Sequence, residues 1–163
     1  MRNSAAGSAR RQVESEAGFT LIELMMSIAI VSILLVMALP TYVEYTTRSK
    51  VSEAVIFMAE AKTSVSEYYY SNRSMPGTND QAGLLDPNGY GVYDHIARLA
   101  VSSTPVPGSI TVTLSVPNSS IDRKQLQLVP STNSSNELIW RCQAVPGATG
   151  LESRYLPTNC RSG

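Results

Sequence analysis

The chain is short of nearly everything that catalysis and nucleic-acid binding draw on. It has a single histidine, His95, with no cysteine near it in sequence. An imidazole metal centre or general base would need partners close by, so His95 reads as an ordinary strand or loop residue. No phosphate-cradling glycine loop and no nucleophile elbow occurs, so nucleotide-loop and serine-hydrolase chemistry have no foothold. Net charge is also missing. Lys plus Arg and Asp plus Glu both number 13, so charge does not imply a polyelectrolyte partner. The only cysteines are Cys142 and Cys160, both near the C-terminus. Two thiols without a nearby histidine are too few for a closed zinc site. Downstream of a membrane-targeting segment they read instead as one disulfide in an oxidising compartment.

What is present divides unevenly along the chain. With 163 residues and 43% hydrophobic content, there is material for one small domain and an appended segment. Residues 1–18 are rich in Arg, Ser and Ala and have no apolar core. A secretory signal places its apolar region before the cleavage site. Here the candidate site, after Gly18, precedes the apolar run, so cutting there removes the leader and keeps an anchor. The basic leader is expected to stay on the cytoplasmic side.

From Phe19 to Leu39 the only charged residue is Glu23. At about 1.5 Å per residue that run just spans a hydrocarbon core of roughly 30 Å. Pro40 removes a backbone donor and crowds the preceding turn, so a kink or local melting is expected at residues 36–40. Glu23 has two readings. Thr20-Leu21-Ile22-Glu23 has the form of a capping box, with the carboxylate near the positive end of the helix dipole. Alternatively, a carboxylate in an apolar run seeks a positive partner, and cleavage after Gly18 would supply one, the α-amine of Phe19 in a neighbouring subunit.

The stretch Gly18-Phe19-Thr20-Leu21-Ile22-Glu23-Leu24-Met25, with a short charged leader before it and a long apolar run after it, resembles the cleavage and assembly motif of type IV prepilins. The resemblance implies a membrane prepilin peptidase that cuts between Gly18 and Phe19 and N-methylates Phe19. It makes Glu23 the assembly carboxylate and Pro40 the helix break, and it favours pairing between subunits.

Beyond Pro40 the pattern becomes amphipathic, with Val51, Val55, Met58, Val65 and Tyr69 on one face. Glu44 and Arg48 are four apart in the favourable order, and Glu53, Glu60 and Glu67 line another face, read either as a solvated stripe or as subunit contacts. Asn72, Ser74, Pro76 and Gly77 end the helix. Residues 73–94 read as a long surface loop that covers the sheet. Four strand signals follow. They lie at residues 95–102 (for which a short helix is the competing reading), at 109–116 with clean alternation from Ile110 to Val116, at Leu126 and Leu128, and at Leu138, Trp140 and Cys142. Short connections favour an antiparallel sheet packed on the second half of the helix.

The tail, Trp140-Arg141-Cys142 through Tyr155-Leu156-Pro157-Thr158-Asn159-Cys160, resembles the disulfide-bounded region that ends type IV pilin heads. The expected fold is therefore α+β: a long N-terminal helix, apolar in its first half, on a four-stranded antiparallel sheet, with a disulfide-bounded loop at residues 142–160. The expected organisation is a leader (1–18), an apolar transmembrane or filament-core helix (19–47) and a globular head (48–163). No cofactor and no metal are expected. The resemblance implies a structural subunit of a type IVa pilus that polymerises with itself. Its partners would be the peptidase and an inner-membrane assembly machinery, its roles adhesion and twitching motility. It would sit in the inner membrane first and outside the cell afterwards. A host or abiotic surface is an open partner, and a weak DNA contact is admitted but not favoured by the neutral charge. The rival readings are a minor pilin, a pseudopilin of type II secretion and, from another class, a membrane-anchored exported enzyme.

Overall fold

The computed structural model describes residues 18–161. One helix, α1 (Leu21–Asn72), is followed by strands β1 (Ile96–Ser102), β2 (Ser109–Leu114), β3 (Gln125–Thr132) and β4 (Leu138–Ala144), with short 3-10 turns at Gly89–Val92 and Thr158–Cys160. The chain forms two compact units, one ending at Leu39 and the other starting at Pro40.

The first unit contributes the opening turns of α1. Its apolar side chains, from Phe19 and Leu21 to Leu39, are exposed. The polar residues among them are mostly engaged within the helix. Ser27 Oγ donates to the Glu23 carbonyl and Ser32 Oγ to that of Ile28, each at 2.7 Å. Such back-bonding hides a hydroxyl from apolar surroundings.

In the second unit α1 turns one face to the core. Thr47, Val51, Ala54, Met58, Ala61 and Val65 are buried, and their alternating steps of four and three residues hold one stripe along a helix. The expected stripe contained Val51, Met58 and Val65, but it also took Val55 and Tyr69, which are only half-buried. Ala54 and Ala61 hold the central positions; their small side chains let packed elements approach closely. Of the kink or local melting expected at residues 36–40, the melting does not occur: α1 continues through Pro40 from Leu21 to Asn72. Proline removes its own N–H bond and crowds the turn before it, yet the helix is maintained through that turn.

The sheet is an antiparallel meander in the order β1-β2-β3-β4. Its register lines up two apolar rows, Leu99–Val112–Leu126–Ala144 and Val101–Ile110–Leu128–Cys142. Because side chains alternate along a strand, these rows share one face, and together with the α1 stripe they make the core. Residues 95–102 are resolved in favour of strand, beginning at Ile96. His95 precedes it at φ 66°, its carbonyl accepting the Ser115 N–H at 2.9 Å.

The segment 73–94 is more tightly fixed than a surface loop. Pro76, Asn79, Ala82 and Tyr90 are buried in it. Asn79 serves as a short surrogate strand along the outer edge of β1. Its Nδ2 donates to the carbonyls of Leu85 (2.7 Å) and Leu99 (2.9 Å), and its Oδ1 accepts the Val101 N–H (2.7 Å). The Leu99 N–H donates to the Pro87 carbonyl at 3.1 Å. These bonds occupy an edge that would otherwise be open to foreign strands.

Candidate functional site

The N-terminal site begins before the helix. Gly18, Phe19 and Thr20 lie ahead of α1 and are exposed, with Phe19 at 74%. A side chain placed on Gly18 would meet nothing within 4 Å, so the Gly18–Phe19 peptide bond is accessible. Thr20 starts the helix. Its Oγ1 accepts the Glu23 N–H at 3.3 Å, and its carbonyl accepts the Leu24 N–H at 3.2 Å. The capping reading of Thr20-x-x-Glu23 is thus realised in one direction only. Among the described residues, the Glu23 carboxylate makes no hydrogen bond or ion pair. It stands in the first turn of α1, where free N–H groups favour a negative charge.

The second site is the disulfide region. Cys142, on β4, is bonded to Cys160, which is buried. The intervening segment packs inward at Leu151 and Leu156 and pairs with the start of β3. The Gln125 N–H donates to the Thr149 carbonyl at 2.8 Å, and the Leu151 N–H to the Gln125 carbonyl at 3.0 Å. Lys124 Nζ reaches the Ala148 carbonyl at 2.6 Å. Gly150 is required by close approach, since a Cβ there would collide with the Val145 carbonyl. Arg48, expected only to pair with Glu44, donates both to that carboxylate (3.0 Å) and to the Arg154 carbonyl (2.7 Å). It ties α1 to the disulfide segment.

Two family models match this chain. Residues 15–39 fit the prokaryotic N-terminal methylation motif, and residues 47–161 fit the pilin model, a bacterial filament protein. The chain belongs to the pilin family. Among this pilin's relatives, a type IV major pilin protein PilE1 of Neisseria gonorrhoeae is 34% identical, covering 90% of this chain and 87% of its own. The fimbrial protein EcpC of Eikenella corrodens is 35% identical, covering 90% and 92%. A fimbrial protein of Pseudomonas aeruginosa is 26% identical, covering 91% and 98%. Its role is structural, that of a pilus subunit, and its long helix on a four-stranded antiparallel sheet is the pilin fold.

Gly18, Phe19 and Glu23 fall in one short stretch of this pilin, and Cys142 and Cys160 are joined, while Pro40 lies inside intact helix. Sequence reading missed Asn79, because an Asn among Thr78, Asp80 and Gly83 looks like any turn residue. Nothing local in the sequence shows that the Val145 carbonyl approaches Gly150.

Proposed function

We propose that this pilin is made as a prepilin, cut between Gly18 and Phe19, methylated on Phe19, held in the inner membrane by the first half of α1, and then polymerised into an extracellular type IV pilus. The supporting observation is the first unit of α1. Its apolar residues are exposed on every side, and Glu23 is its one polar side chain with no partner among the described residues. An apolar helix segment with Glu23 as its only charge from Phe19 to Leu39 needs either lipid or neighbouring helices as its surroundings.

The residues take the following roles. The accessible Gly18–Phe19 bond is the substrate of the peptidase. Cleavage frees a cationic amine on Phe19, which pairs with Glu23 of a neighbouring subunit. At about 25 cal/mol per Å2, burial of the apolar helices among one another outweighs a single ion pair and holds the filament. The pair sets register, since a charge left unmatched in an apolar interior is costly. The head, residues 48–163, faces outward and carries the disulfide region as an exposed contact surface, used in adhesion and twitching motility. The chain performs no catalysis itself. The names of the gonococcal relatives favour a major over a minor subunit.

The test is Glu23→Val in cells that assemble this pilin. Leader removal should proceed and surface filaments should be lost. Filaments of normal number on the mutant would contradict the pairing.

A further inference from the structure

A cavity of about 490 Å3 opens in the second unit between the start of its α1 segment, the β2–β3 connection and the disulfide segment, and its lining includes Lys50, Thr46, Ser119, Ser120, Arg154 and Val43. We propose that this cavity seats the phosphate of an anionic phospholipid headgroup while the pilin waits in the membrane. The inference rests on the membrane-held precursor proposed above.

The charges around the cavity are unevenly satisfied. Glu44, also in its lining, is taken by Arg48 at 3.0 Å, and Arg154 by Glu152 at 2.9 Å. Arg154 is further held over the Tyr155 ring, 4.7 Å from its centroid. Lys50 is half-buried and, among the described residues, has no ion pair or hydrogen bond. A half-buried ammonium beside a cavity is a charge in search of an anion. The hydroxyls point the same way. Ser119 Oγ accepts the Ile121 N–H at 3.4 Å, and its own proton has no acceptor among the described residues. Lysine and serine donors together suit phosphate oxygens.

The chain also says where such a phosphate comes from. The exposed apolar run of α1 ends at Leu39, and Pro40 is the first residue in the cavity lining. Tyr42 and Tyr45, at 67% and 74% exposure, have the amphipathic form favoured at membrane–water boundaries. Val43 and Pro117 put an apolar wall in the same cavity, which fits a headgroup entering with its glycerol better than a free ion.

The test uses the processed full chain in neutral maltoside micelles, followed by amide NMR. Short-chain phosphatidylglycerol should shift residues 46–50, 116–120 and 154–155 saturably. Lys50→Gln should weaken that binding about tenfold, the loss of one charge-assisted contact, and Lys50→Arg should restore most of it, which guards against a folding defect. Inorganic phosphate should bind far more weakly. Equal binding of inorganic phosphate would overturn the lipid source, and absent or unsaturable shifts would overturn the site. Detergent contacts to residues 21–39 in the same spectra report separately on the membrane-held precursor.

Discussion

Single side chains decide how the head is closed. Asn79 replaces a strand at the edge of β1, and its removal would leave the Leu99 carbonyl and the Val101 N–H buried without those partners. Asn79→Ala should cost roughly 3 kcal/mol at about 1–3 kcal/mol per orphaned group, read as a lower thermal midpoint with faster exchange of the Val101 amide. Gly150→Ala forces a Cβ against the Val145 carbonyl. It should cost roughly 2 kcal/mol and loosen the Gln125–Gly150 bridge, seen as faster exchange at Gln125 and Leu151. Burial pushes the Tyr90 hydroxyl above the ordinary tyrosine value, with a backbone hydrogen bond at Leu85 opposing and Glu60 adding to the rise. The folded state therefore prefers neutral Tyr90. That stability is intact below about pH 10 and is lost as pH climbs through the raised value. Tyr90→Phe should flatten the alkaline fall in midpoint above about pH 10; an unchanged fall would remove Tyr90 as its cause.

At the scale of elements, each part was readable to the extent that its pattern was local. The alternation from Ile110 to Val116 announces β2 because a half-buried strand repeats every two residues, and β3 and β4 follow from paired apolar positions at Leu126, Leu128, Trp140 and Cys142. The stripe of α1 was half legible. Alanine is apolar but common on any face, so Ala54 and Ala61 gave no sign of being its centre. Local melting at Pro40 was expected from one missing hydrogen bond, weighed without the helix that continues on both sides. The loop at 73–94 was legible as punctuation only, since its fastening comes from contacts with β1, which no local pattern encodes. The motif at Gly18 to Glu23 lies in consecutive residues and was open to inspection, whereas the docking of the disulfide segment on Gln125 was not. Replacing both Cys142 and Cys160 by serine should cost roughly 3 kcal/mol for a loop of this size. The loss should appear as a lower thermal midpoint and as protease cuts within residues 143–159.

For the whole molecule, the two units are at odds as free-standing structures. The second has a closed apolar core, while the first exposes its apolar residues and a carboxylate that has no partner among the described residues. On the proposed function, lipid and then other copies of the chain cover that exposed apolar surface, in keeping with a family of bacterial filament proteins. The central claim is that the same chain is cut after Gly18, exported and polymerised. The measurement that tests it most directly is the intact mass of protein sheared from the surface of cells expressing the chain, before and after reduction. The account predicts a chain beginning at Phe19, heavier by one methyl group, and lighter by two hydrogens than its reduced form because of the Cys142–Cys160 bond. A chain that still begins at Met1, or a cleaved chain found in the membrane and never in the sheared filaments, would contradict it.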